Sequence, residues 1–141
     1  MNAGAEGPRG GPKGEPVRIV VPYDLGLLSD NQRLHPFERR RREKACSLAA
    51  LAGWHDAGKP QFHVPVTVAI HVIRGRVIDD DHVIFAFTAA RNILFKRFYH
   101  GFGVTHDDSP SWLRQGPVSY ETGARFRGCE RFELFIAPYE D

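Results

Sequence analysis

Three consecutive aspartates, Asp79-Asp80-Asp81, form the most chemically loaded stretch of the chain. One acid is enough to cap a helix and complement its dipole, an effect of ~1 kcal/mol. Three adjacent carboxylates repel one another, more so when partly buried. A divalent cation relieves that repulsion. Magnesium takes hard oxygen ligands and keeps waters that substrate phosphates can replace. Phosphodiester hydrolysis uses such sites to polarise phosphate, activate water and stabilise the leaving oxygen. Manganese would serve the same ligands. Alternation along an extended segment places Asp79 and Asp81 on one side and Asp80 on the other. Asp79 and Asp81 are therefore the expected metal ligands, and Asp80 the capping or solvent-facing residue. Spacing leaves both a metal site and a solvated loop open.

A second acidic pair, Asp107-Asp108, lies beyond the helix expected to follow the first cluster. A helix of about eighteen residues extends ~27 Å, so its far end does not reach back directly. Either the following loop folds back to the helix start or a partner subunit supplies the carboxylate. His82 and His106 each adjoin an aspartate cluster, where an imidazole titrating near neutral pH could assist a metal-bound water. The seven histidines otherwise form no HxH or HxxxH pair, and Cys46 and Cys129 form no CxxC pair. A zinc knuckle is thereby excluded, and a histidine-based zinc hydrolase is a distant third reading.

The formal net charge is only +2, but its distribution is uneven. Arg39, Arg40, Arg41, Arg42 and Lys44 are clustered, and Arg125, Arg127 and Arg131 form a second basic group. Separate blocks of opposite sign suit a phosphate-binding surface beside a cation-binding pocket, or else two solvated faces. Arg74 and Arg76 border the aspartates and could clamp a scissile phosphate through paired donors. The Arg39–Arg42 run would contact backbone phosphates, fixing position without reading bases. Trp112 and Tyr120 could stack on an opened base, although core packing is the better expectation for both.

The elements that must position these residues follow from periodicity. The 141 residues fit one domain, with 42% apolar and 26% charged residues, an ordinary globular balance. Residues 1–16 are Gly- and Pro-rich and read as a disordered tail before a domain over 17–141. No apolar run approaches the ~20 residues of a membrane span, and no secretory signal is evident, so a cytoplasmic location with two buried reduced thiols is expected. Residues 17–23 predict a strand, and Pro36 opens a helix to about Ala52 that Gly53 should stop. Residues 65–73 predict a central strand, and 82–99 a helix whose buried face carries Val83, Phe87, Ala90, Leu94 and Phe98. A hairpin is expected to follow, with a strand over 117–120, a loop over 121–127 and a strand over 130–137. In that last strand Arg131, Glu133 and Phe135 form the wetter face. The fold class is therefore α+β: a single compact domain, β-α-β-α-β-β, with a mixed sheet and two helices.

In this order the residues resemble the RusA family of crossover junction endodeoxyribonucleases, common in prophages. The matching features are Ile19-Val20-Val21-Pro22, Asp30-Asn31-Gln32-Arg33-Leu34-His35, the basic helix, then Arg74, Arg76, Asp79 and Asp81. Gly103-Val104-Thr105-His106-Asp107-Asp108-Ser109-Pro110 looks like the family's closing segment. The resemblance spans roughly residues 17–137. It implies a homodimeric, structure-selective hydrolase that resolves Holliday junctions in DNA recombination and repair, with Asp79, Asp81 and Asp108 binding magnesium. Paired nicks across a junction suit a twofold dimer. His82 stands where the family usually has Asn, and Phe85 where it has a lysine, with Arg91 or Lys96 as replacements for that charge. His82, Arg91 and Asp107 are thus auxiliary candidates. The alternative is a DNA-junction-binding module on the same fold that has lost catalysis.

Overall fold

The computed structural model describes residues 16–28, 35–95, 104–105 and 109–139. The tail over 1–15, the Asn31 segment, Lys96, Phe98, His100, His106, Asp107 and Asp108 lie outside the described residues. The described residues form four strands and two α-helices: β1 (Val17–Val21), α1 (Pro36–Asp56), β2 (Val66–Arg74), α2 (Asp80–Leu94), β3 (Leu113–Thr122) and β4 (Arg131–Pro138). The small α+β class expected from the periodicity holds, with a mixed four-stranded sheet.

The sheet order is β1-β4-β2-β3. β4 runs antiparallel to both β1 and β2, whereas β2 and β3 are parallel. The β-branched strand β2 is an inner strand, as its near-continuous apolar sequence requires. Ile19, Val21, Val66, Val68, Ile70, Val72, Phe132, Leu134 and Ile136 are each at most 1% exposed. They share one core with Cys46, Ala50 and Trp54 of α1 and Val83, Phe87, Ala90 and Leu94 of α2. The helices therefore form one layer and the sheet the other.

β3 and β4 are not the two arms of a hairpin. They pair with opposite edges of β2, so the chain from 123 to 130 must cross over the end of β2. Strands that follow each other in sequence are separated in the sheet because the inner position between β1 and β2 is filled by β4.

Gly53 does not stop α1, which continues to Asp56. It is buried at the crossing with β1, where a Cβ would overlap the Val20 carbonyl oxygen. Gly53 serves close approach instead of termination. The helix ends three residues later, at Asp56, and Gly58 just beyond it takes a left-handed φ of +94°. α2 begins earlier than expected, at Asp80, and ends at Leu94.

The face of β4 expected to be wet is only half so. Arg131 and Phe135 are half-buried and Glu133 is 6% exposed. The Arg18 guanidinium closes over Glu133 with two hydrogen bonds, at 3.0 and 2.6 Å. Across the register from Glu133, His71 contacts Ser119 at 2.7 Å, so a polar row crosses all four strands. The two cysteines also differ from expectation: Cys46 is buried but Cys129 is exposed, and both are free.

Candidate functional site

Because β2 and β3 are parallel, both chains leave the sheet at the same edge. Ligand sites in open sheets gather at such carboxyl ends. β2 exits through Gly75 and Arg76 toward α2, and β3 exits into the connection 123–130. That connection is tied down where it crosses. Gly123 N–H donates to the Arg74 carbonyl at 3.3 Å, and the Phe126 ring is 8% exposed. The stem of Arg127 lies beside Gly75, its Cγ 3.7 Å from a Cβ built there, an ordinary packing distance.

The three aspartates stand at this edge, and all three are exposed. Their arrangement is not the alternation of a strand. Asp79 occupies the N-cap position of α2, its backbone carbonyl accepting from His82 and Val83 N–H at 2.9 and 3.0 Å. Asp80 and Asp81 already belong to the first helical turn, where successive side chains fan apart by ~100°. The Asp79 carboxylate makes no capping bond and lies 3.9 Å from His82 Nδ1.

Of the three, Asp80 is the one whose carboxylate accepts a hydrogen bond among the described residues. The Tyr120 hydroxyl donates to Asp80 Oδ1 at 2.7 Å and also contacts the Ile78 carbonyl. Burial, and then the hydrogen bond to Asp80, push the Tyr120 phenol well above its ordinary range. Asp81 makes no hydrogen bond or ion pair among the described residues. Two exposed carboxylates, Asp79 and Asp81, thus flank one that is structurally engaged. They are chemically suited to magnesium, which commonly takes one or two protein carboxylates and fills its shell with water and phosphate.

The arginines divide into committed and uncommitted cations. Arg74 is committed: its Nε donates to Asp24 at 3.0 Å and another guanidinium nitrogen to the Arg76 carbonyl at 2.9 Å. It braces the exit of β2 against the turn after β1. In α1, Glu38 accepts from Arg41 and Arg42, and these bonds hold its carboxyl below the usual range. Arg42 also donates to the Leu27 carbonyl at 3.1 Å. Arg39 lies 3.6 Å from Glu43 and 4.9 Å over the Phe85 ring. Arg40 rests over Phe37 at 5.1 Å and has no acidic partner among the described residues. Much of the basic run is therefore neutralised within its own helix. Arg76 and Arg127 are exposed and pair with no acid among the described residues.

Phe85 is 46% exposed on α2, and Arg39 of α1 carries a cation to its face. Arg91 is half-buried, with its Nε unpartnered among the described residues. Segment 106–108 is flanked by Thr105 and Ser109, and both flanks lie near the other end of the sheet. Val104 N–H donates to the last residue of α2, Leu94, and the Ser109 carbonyl accepts from Leu113, which pairs with Val66 at the start of β2. The nine residues of β2, ~30 Å when extended, run from that end to the aspartates. Among the described residues no group of three His, Cys, Asp or Glu is arranged around a common metal position, and no helix is long and apolar enough to cross a membrane.

Two features escaped the sequence. Tyr120 reads there as core or as a stacking surface, and its grip on Asp80 had no local signal. The Arg125–Arg131 group was visible as charge, but nothing in its spacing placed Arg127 against Gly75. Comparison of the chain with protein-family models, with curated proteins and with solved structures found no match.

Proposed function

We propose that the chain is a magnesium-dependent endonuclease that cuts branched DNA, as its resemblance to the RusA resolvases implies. The observation that carries this reading is the exposed Asp79 and Asp81 pair at the shared exit of two parallel strands, with Asp80 tied back by Tyr120. Asp79 and Asp81 would hold the metal, and Asp108, whose neighbour Ser109 lies at the far end of β2, would complete the set from a second copy in a twofold dimer. When bound, magnesium or manganese would polarise the scissile phosphate and acidify a water. His82, 3.9 Å from Asp79, is placed to orient that carboxylate. Tyr120 keeps Asp80 turned toward the sheet, so that the incoming phosphate meets two carboxylates rather than three. Arg76 faces the same solvent-exposed edge and would offset the phosphate charge.

The direct test is a labelled four-way junction incubated with the protein and magnesium beside a linear duplex of matching sequence. Paired nicks in the junction alone are expected, abolished in Asp81→Asn while junction affinity persists. A shifted junction band without cleavage in magnesium or manganese would favour the second reading, a binding module without catalysis. That reading is motivated by His82 and Phe85, which stand where the family usually has Asn and lysine.

A further inference from the structure

We infer that Arg127 and Arg76 together form a phosphate-binding ledge for the DNA strand that enters the aspartate edge. The inference rests on the endonuclease reading and names residues that would hold its substrate. Sheet order is the first support. β3 and β4 flank β2, so the connection 123–130 has to pass over the exit of β2, immediately before Arg76 and Asp79. The connection thereby brings Arg127 beside Gly75, four positions before Asp79.

Contact is the second support. The Arg127 stem packs beside Gly75, with Cγ and Nε 3.7 and 3.8 Å from where a Cβ would stand. The Arg127 side chain thus packs beside the residue that precedes Arg76, although the two arginines are remote in sequence. The third support is electrostatic. Arg74 is spent on Asp24, Arg41 and Arg42 on Glu38, and Arg39 faces Glu43. Arg125 reaches Glu121 at 3.6 Å, and Arg131 donates to the Cys129 carbonyl at 3.0 Å. Arg40 and Arg114 also lack an acid but rest over Phe37 and Tyr139, whereas Arg76 and Arg127 have neither an acidic partner nor a ring beneath them among the described residues, even with Asp79 three positions from Arg76. Uncommitted guanidinium groups at an exposed edge are matched to an oxyanion that accepts paired N–H donors.

The ligand class is the phosphodiester backbone of nucleic acid. Such contacts fix register and carry no base reading, which suits an enzyme selecting shape over sequence. The ledge also separates labour at the edge: carboxylates for the metal, and two arginines for the flanking phosphates.

The test is the salt dependence of junction and duplex binding in EDTA, where no cleavage occurs. Arg127→Ala and Arg76→Ala are each expected to lower affinity several-fold at low salt and reduce the slope of log K against log salt by about one. Arg127→Lys should keep most of the slope. Arg114→Ala, a cation at the opposite end of β3, should leave it unchanged. If the parent binds with a steep slope and Asp81→Asn is dead for cleavage, yet Arg127→Ala keeps the parental slope, the ledge is wrong and the endonuclease reading stands. If the parent binds neither junction nor duplex, that reading fails and the ledge with it.

Discussion

The Tyr120 hydroxyl touches both residues that flank Asp79, lying 2.7 Å from Asp80 Oδ1 and against the Ile78 carbonyl. A side chain from edge strand β3 therefore ties the start of α2 to the sheet. The hydroxyl has one proton to give, and Asp80 Oδ1 lies at normal hydrogen-bonding distance to accept it.

Tyr120→Phe keeps the ring in the core and removes only that clasp. Thermal or denaturant unfolding should show a loss of ~1 kcal/mol, the worth of one hydrogen bond. If the aspartates act as proposed, junction cleavage should fall roughly tenfold through misplacement of Asp79 and Asp81. Junction affinity should hardly change, and an equal loss of both would assign Tyr120 to binding instead.

Glu133 provides a pH prediction. The hydrogen bonds from Arg18 draw its carboxyl below the ordinary value despite opposing burial. A group with a depressed folded pKa stabilises above its unfolded pKa and loses that contribution as pH falls through the folded value. Glu133→Gln should thus cost ~1 kcal/mol near pH 7, discounted because Arg18 is largely exposed. The gap between the two proteins should close below about pH 4. A pH-independent gap would mean that packing, not charge, is what the substitution removes.

Gly53→Ala distinguishes two roles of glycine. In an exposed helix interior this change gains up to ~1 kcal/mol. Here the new methyl meets the Val20 backbone, which has no flexible end to move aside. A loss of ~2–3 kcal/mol is expected instead, read as a lower denaturant midpoint with an unchanged m-value.

The two thiols should report separately. Burial pushes the Cys46 thiol up to about 12, whereas Cys129 is exposed on the connection over β2. A maleimide at neutral pH should modify one cysteine per folded chain, at Cys129, and two in denaturant. Rapid modification of Cys46 in the folded protein would indicate that α1 opens from the core.

Much of the fold was legible because periodicity is local. The β-branched run of β2 and the Val83–Leu94 stripe of α2 announce their burial without any partner being known. Gly53 was misread because termination and close approach demand the same residue, and only the crossing strand decides between them. The supposed hairpin failed for a related reason, as neighbours in sequence need not be neighbours in a sheet. The length of the 123–130 connection was a usable warning, since tight hairpin loops hold two to five residues. At the site, the pairing of Glu38 with Arg41 and Arg42 could have been read from its helical spacing. The clasp on Asp80 could not, because Tyr120 lies 40 positions away.

The place of β4 has a consequence for how the protein is made. β1 pairs with β4 and with no other described strand, so residues 17–21 wait for residues 132–136 before they have a neighbour. During synthesis the first strand emerges long before the strand that holds it. A nascent chain ending before Arg131 carries β1 as an unpaired edge and β2 with one side open. Contacts this distant in sequence slow folding, and unsatisfied edges recruit other chains. Ribosome-stalled chains should therefore remain protease-sensitive until β4 has cleared the exit tunnel, then become resistant in a single step.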